Sequence, residues 1–153
     1  MREMVCQISM TIFGTVLAGV ILYIISEYFK LYVLNPLQRY KELKGKTIAA
    51  LTYYAREFSS PGYYAELSED GKKRFDKASE ETRLLASDYR ALLETKIKHH
   101  LGIPKNVDII EIRKRLIGLS NGVYIYSKDD SDIKKDNSKY IEKIKEILKV
   151  KDE

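Results

Sequence analysis

Two adjacent histidines, His99 and His100, are the residues whose type most readily suggests catalysis or metal binding. On a helix their side chains point about 100° apart, so they do not converge on one ion. The sequence has no other histidine, and its one cysteine, Cys6, lies near the N-terminus. Because a zinc site needs three or four converging ligands, we expect neither a metal nor a cofactor.

Acidic residues are numerous, and most of them alternate with lysine and arginine at helical spacing. This alternation is typical of a solvated, salt-bridged helix face. General acid–base catalysis would need two carboxylates in one cleft, which the spacing does not predict. Asp129, Asp130 and Asp132 resemble the start of a calcium loop, but its glycine and its terminal glutamate are missing.

Known catalytic motifs are also absent from the sequence. Arg90 and His99 are too far apart for the arginine–histidine motif of the helical HEPN ribonucleases. No glycine-rich turn leads into a Lys-Ser or Lys-Thr pair, as a phosphate-binding loop would. We therefore expect a non-catalytic protein. The alternative is an enzyme whose site forms between protomers, which substitution of Asp88, Arg90, His99 and His100 would test.

Positive charge collects at two places that could form a patch for an anion or a partner protein: Lys96, His99, His100, Arg113, Lys114 and Arg115. Nucleic-acid binding would require denser clustering with interleaved aromatic residues for stacking. The net charge of +5 is modest, and part of it lies next to an apolar segment. We therefore do not expect nucleic acid as a partner.

The element that determines where this protein works is an uncharged segment of 23 residues at positions 4–26. A helix of that length spans about 34 Å, enough to cross the hydrocarbon core of a bilayer. No cleavage site of the small-residue type follows it, as a secretory signal would require. The sequence predicts a single-pass membrane anchor.

The charges that flank this segment predict its orientation. Arg2 stands alone before the segment, and five basic residues follow it: Lys30, Arg39, Lys41, Lys44 and Lys46. Lysine and arginine are retained on the cytoplasmic side of a membrane. We expect the N-terminus outside and the rest of the chain in the cytoplasm, at the bacterial inner membrane.

One face of the predicted anchor carries small and polar residues at helical spacing: Gln7, Thr11, Gly14, Thr15 and Ala18. Small residues allow two helices to approach closely in lipid, so this face predicts self-association into a homo-oligomer. Two alternatives stay open. The face could line a polar pore in a larger oligomer, or it could be an ordinary membrane helix surface.

The remainder of the chain shows helical periodicity almost throughout. Asn35-Pro36 predicts a helix start with Gln38 as a capping-box partner, and an apolar stripe continues from Leu37 through Ala55 to Phe58. Further helices are predicted at residues 72–101 and 107–120 and from about residue 138. Each has an apolar stripe that we expect to face the core: Phe75, Ala78, Thr82, Leu85, Ala86, Tyr89, Leu92, Leu93, Ile97 and Leu101 in the first, Ile109, Ile112, Leu116, Leu119 and Val123 in the second, and Ile141, Ile144, Ile147 and Leu148 in the third. Only residues 123–126 look strand-like, and this segment is too short to build a sheet. For the helix at 107–120 the start is at Asn106 or at Asp108. We predict an all-α protein with an anchor segment at 1–34 and a cytoplasmic bundle of about four helices at 35–153.

Three sequence segments carry a resemblance: NPLQRYKELKGKTIAALTYY at 35–54, and LGIPKN and LIGLSN within 83–121. In these segments the chain resembles a group of small uncharacterised bacterial single-pass membrane proteins. The resemblance implies an N-terminal anchor with a helical domain, and it implies no activity.

We therefore expect a membrane-anchored, self-associating protein whose cytoplasmic domain acts as a scaffold or sensor. Its expected partners are the lipid bilayer, further copies of itself and an unknown cytoplasmic protein or ligand. The alternative from a different class is an oligomeric pore-forming or membrane-disrupting effector, for example in antiviral defence.

Overall fold

In a computed structural model the protein is all-α, as the helical periodicity predicts. The structure describes residues 2–95, 102–125 and 132–150. These residues contain six α-helices: α1 (Arg2–Phe29), α2 (Asn35–Tyr53), α3 (Ala55–Ser59), α4 (Glu69–Glu94), α5 (Asn106–Asn121) and α6 (Ile133–Leu148). The chain divides into two compact units, Met1–Pro36 and Leu37–Glu153.

The first unit consists mainly of α1, which is 28 residues long, or about 42 Å. Its large apolar side chains are exposed, including Phe13, Val16 and Ile25. Among the described residues, the helical run Ile12–Tyr53 is the one whose length and composition would allow it to cross a membrane. The structure therefore contains one candidate membrane span near the N-terminus.

The helix does not restart at Asn35, so the predicted cap at that position is wrong. α1 continues through a π-helical turn, Lys30–Leu34, and Asn35 itself has helical backbone angles (φ −61°, ψ −47°). The N–H of Asn35 donates to the carbonyl of Lys30, five residues earlier. Pro36 has no N–H to donate, and a wider turn just before it accommodates the missing bond. The helix therefore passes through the predicted boundary.

A break in the next helix changes which residues enter the core. α2 buries Tyr40, Leu43 and Leu51, as the apolar stripe predicts. Helical geometry is interrupted at Tyr54 (φ −99°, ψ 19°) before the short helix α3. Tyr54 is consequently buried, whereas Ala55, which the stripe places in the core, is exposed.

The helix α4 supplies much of the core. Its N-cap is Ser68, whose hydroxyl accepts the N–H of Gly71 at 3.2 Å. The buried side chains follow the predicted stripe: Ala78, Thr82, Leu85, Ala86, Tyr89 and Leu92. α4 ends at Glu94, and the predicted continuation to residue 101 lies outside the described residues.

The helix α5 packs against α4 through a fully apolar row: Ile109, Ile112, Leu116 and Leu119, followed by Val123. All five are buried, as predicted. Lys105, and neither Asn106 nor Asp108, occupies the N-cap position, and its side chain makes no capping hydrogen bond. Gly102 has a left-handed backbone (φ 86°), a conformation that glycine adopts without a steric penalty.

Two short strands join distant parts of the chain. β1 (Gly62–Tyr63) pairs in parallel with β2 (Tyr124–Ile125), although the sequence suggested that 123–126 was too short to build a sheet. The hydroxyl of Tyr124 lies 2.7 Å from a carboxylate oxygen of Asp76 and 3.0 Å from the carbonyl of Lys72. The strand pairing therefore fixes the segment after α5 to the segment after α3, and the Tyr124 hydroxyl fixes it to the start of α4.

The last helix begins earlier than predicted. α6 starts at Ile133, whereas the apolar pattern indicated a start near residue 138. Its first turns carry Lys134, Lys135 and Asp136, which lie outside the core and give no apolar periodicity. Ile144 and Leu148 are buried as predicted.

Candidate functional site

A groove with a volume of about 750 Å³ lies between α2 and α4 in the second unit. Its walls are mainly apolar and include Ala49, Ala50 and Leu85. Two large side chains project into solvent at the groove, Tyr53 with 67% and Leu84 with 59% of its surface exposed. Exposed apolar side chains around a concave surface are typical of a binding interface.

Charged residues of both signs also line the groove. Lys46 lies on α2, and Glu81 and Asp88 lie on α4. Lys46 forms an exposed ion pair with Glu42 at 2.8 Å, which lowers the pKa of that carboxyl and raises the pKa of the lysine. The negative charge of Asp88 raises the pKa of Lys46 further. Lys46 on α2 and the carboxylates of Glu81 and Asp88 on α4 therefore border one surface, and Lys46 is also paired with Glu42 of its own helix.

Tyr54 is part of the groove lining, although only 1% of its surface is exposed. Burial raises the pKa of its hydroxyl, and the nearby carboxylate of Glu81 raises it further. The hydroxyl makes no hydrogen bond of standard geometry to a described residue. It therefore stays protonated at neutral pH and is unsuited to act as a base or a nucleophile there.

An ion pair outside the groove joins α3 to α4. Glu57 is 1% exposed, and one of its carboxylate oxygens contacts the guanidinium of Arg74, whose side chain is half exposed. The other oxygen has no hydrogen-bond partner among the described residues. Neither residue lines the groove. This arrangement holds α3 against α4 and presents no reacting group.

The predicted basic patch is only partly within the described residues, which do not include Lys96, His99 and His100. Arg115 lies on α5 and donates to Glu111 at 2.7 Å, and its guanidinium lies 5.2 Å from the ring centre of Tyr140. Arg113 and Lys114 are neighbours on the same helix, with Lys114 exposed. Within the structure, Arg115 is therefore engaged by its own chain.

Two of the residues considered for a site between protomers, Asp88 and Arg90, lie at different places on α4. Asp88 lines the groove, and Arg90 pairs loosely with Glu94 at 4.0 Å on the exposed side of α4. Among the described residues, no three His, Cys, Asp or Glu side chains converge as ligands for an ion. Asp129 and Asp130 lie outside the described residues.

The predicted association face belongs to α1. Gly14 has open space where a side chain would begin, with no atom within 4 Å, and Ala18 is exposed. Thr15 is also exposed. The side chains of Gln7 and Thr11 lie outside the described residues. Around Gly14, no other part of the described chain covers this helix face.

Sequence reasoning missed the groove itself. Tyr53 and Leu84 are large side chains that lie off the apolar stripe of their helices, which is the signal that could have revealed them. Their convergence depends on how α2 and α4 pack. Comparisons with protein-family models, with curated proteins and with solved structures find no match to this chain.

Proposed function

We propose that this chain is a membrane-anchored, self-associating protein whose helical domain acts as a scaffold or sensor and catalyses no reaction. The observation that carries this proposal is the apolar groove between α2 and α4, with Tyr53 and Leu84 exposed beside it. The exposed apolar surface of α1 supports the membrane anchor.

The proposed location is the bacterial inner membrane, with the N-terminus outside and the helical domain in the cytoplasm. Its support is the concentration of lysine and arginine after the apolar segment, from Lys30 to Lys46, against Arg2 alone before it. The resemblance to small bacterial single-pass proteins is the support for a bacterial source.

The proposed occupant of the groove is a second copy of the same chain. In a two-fold arrangement Lys46 of one copy would face Glu81 and Asp88 of the other, because the groove carries opposite charges on its two helices. Anchoring in one bilayer keeps copies at a high effective concentration, so a small interface suffices. The Gly14 and Ala18 face would add a contact within the membrane.

The test is native mass spectrometry of the full-length protein released from nanodiscs. We expect a defined oligomer for the wild type and a smaller species for Leu84→Glu and for the double variant Gly14→Leu/Ala18→Leu. Val107→Glu is the control for the groove, because Val107 is also an exposed apolar residue (73%, against 59% for Leu84) but does not line it. Val16→Leu/Val20→Leu is the matched control for α1.

A monomeric wild type would refute self-association. An oligomeric wild type whose variants and controls all keep its size would refute the groove and the Gly14 and Ala18 face as its interfaces. The same measurement addresses the pore-forming alternative. A large ring that makes liposomes leak a trapped dye would replace clustering by a membrane-disrupting effector. The enzyme alternative is tested by substituting Asp88, Arg90, His99 and His100 in turn. If cells that carry each variant keep the wild-type phenotype, catalysis through these residues is excluded.

A further inference from the structure

A second cavity, of about 470 Å³, lies where the first turns of α2 meet the start of α5 and the end of α6. Its volume falls in the range of about 300–1,000 Å³ that ligand pockets occupy. Four lysines from these three places line it: Lys41, Lys44, Lys105 and Lys149. It shares no lining residue with the groove between α2 and α4.

The charge of this cavity is not neutralised by the chain. None of the four lysines forms an ion pair with a carboxylate in the described part of the structure, whereas Lys46, Lys72 and Lys143 all do. Asp108 also lines the cavity, which leaves a net formal charge of +3. Like charges gathered in a concavity attract and concentrate an anion.

A tyrosine hydroxyl in the lining adds a hydrogen-bond donor. Tyr40 lines the cavity and is only 6% exposed, and its hydroxyl makes no hydrogen bond to any described residue. Burial, followed by the negative charge of Asp108, raises the pKa of Tyr40, so the hydroxyl keeps its proton at neutral pH. Tyr40 is not among the residues with a buried unpartnered polar atom, so its hydroxyl is accessible from the cavity and can donate to an anion bound there.

We propose that this cavity binds a phosphate-bearing anion, which the four lysines and the hydroxyl of Tyr40 hold. Both a lipid headgroup and a free phosphate compound provide this chemistry. Leu37, also in the lining, follows Phe29 by eight residues, so the chain limits it to about 28 Å from the end of α1. This short separation along the chain is the reason to test a lipid headgroup as one of the two sources. The proposal does not depend on self-association.

The first experiment measures binding of inorganic phosphate to the full-length protein in an uncharged detergent by titration calorimetry. We expect binding to weaken at least about tenfold in Lys105→Gln/Lys149→Gln, because a hydrogen bond to a charged group is lost with each lysine. The matched control is Lys73→Gln/Lys135→Gln, which removes the same charge from exposed positions outside the cavity. It should bind as the wild type does.

Two further variants separate binding from folding. Tyr40→Phe should weaken binding by about threefold to tenfold, because one neutral hydrogen bond is lost. Asp108→Asn should tighten binding, because it removes the carboxylate that opposes the anion. A gain in affinity cannot come from a misfolded domain. Far-UV circular dichroism confirms the helix content of each variant.

The second experiment identifies the source of the phosphate. Full-length protein is released from nanodiscs of phosphatidylcholine with phosphatidylglycerol, and native mass spectrometry counts the phosphatidylglycerol retained. Retention by the wild type and the control, with loss in Lys105→Gln/Lys149→Gln, indicates a lipid headgroup. Phosphate binding without retention indicates a soluble ligand. The proposal is overturned if the wild type binds neither probe, or if cavity and control variants weaken binding equally.

Discussion

The side-chain amide of Asn137 donates a hydrogen bond of 2.7 Å to the carbonyl of Gly122, and a second, of 3.0 Å, to the carbonyl of Phe58. Asn137 is 1% exposed and lies in α6, whereas its two partners lie at the ends of α5 and α3. One buried amide thus joins three helices. A residue that looks like part of a polar loop in the sequence is a central polar contact of the domain.

We expect Asn137→Ala to lower the free energy of unfolding by about 2–4 kcal/mol, because two buried carbonyls would lose their partner. Urea denaturation of the full-length protein in detergent, followed by circular dichroism, measures this. Ser138→Ala is the control, since the Ser138 hydroxyl bonds only to an exposed carbonyl in its own helix. Equal stability of the two variants would show that the amide is dispensable.

Position 122 requires glycine because the side chain of Asn137 lies too close for a Cβ atom, and not because of the backbone angles of Gly122. Its φ of −86° suits any residue, but a Cβ there would overlap the side-chain amide of Asn137. We expect Gly122→Ala to cost about 1–3 kcal/mol, whereas Gly45→Ala, with open space around it, should stabilise α2 by about 0.5–1 kcal/mol. In an Asn137→Ala background the penalty at Gly122 should shrink. Denaturation of the four variants tests this coupling, and simple additivity would contradict it.

Burial of Tyr89 should make the folded protein less stable at alkaline pH. It is fully buried, and burial raises its pKa to about 12, while a hydrogen bond of 3.2 Å with Thr47 lowers it slightly. The unfolded chain loses this proton near pH 10, before the folded chain does. Stability is therefore complete below pH 10 and falls as pH rises toward 12, by about 2–3 kcal/mol for this group.

The variant Tyr89→Phe tests this dependence. We expect it to reduce the fall in unfolding free energy between pH 10 and pH 12, measured by denaturation at several pH values. Tyr23→Phe is the control, because Tyr23 is exposed on α1. If both variants keep the wild-type slope, the alkaline loss of stability does not come from Tyr89.

The ion pair of Glu57 and Arg74 should show strong coupling. Arg74→Met leaves a buried carboxylate without its cation, and since Arg74 is half exposed we expect a loss of about 1–3 kcal/mol. Lys73→Met is the control, because Lys73 is exposed and only loosely paired with Asp70 at 3.9 Å. Glu57→Gln/Arg74→Met should recover most of the loss. The coupling is disproved if the loss in the double variant equals the sum of the losses in Glu57→Gln and Arg74→Met measured separately.

Helix content and most of the core could be predicted from the sequence. Apolar residues at helical spacing lie on one face of a helix, and that face packs into the core. The rows of α4 and α5, from Ala78 to Leu92 and from Ile109 to Val123, are buried as predicted. Helix boundaries were less predictable, because a local capping signal in the sequence does not always end or start a helix in the structure. Asn35-Pro36 predicts a start, yet a π-helical turn carries the helix through it.

The candidate sites could not be predicted in this way. The groove needs Tyr53 and Leu84 on facing helices, and the lysine cavity joins Lys41 to Lys105 and Lys149, far apart in the chain. By itself the sequence determined the apolar segment, its flanking charges and the helical character of the rest, since these depend on local composition and periodicity. Only the tertiary structure decided which side chains meet, because packing between distant helices creates both concave surfaces and the buried position of Asn137.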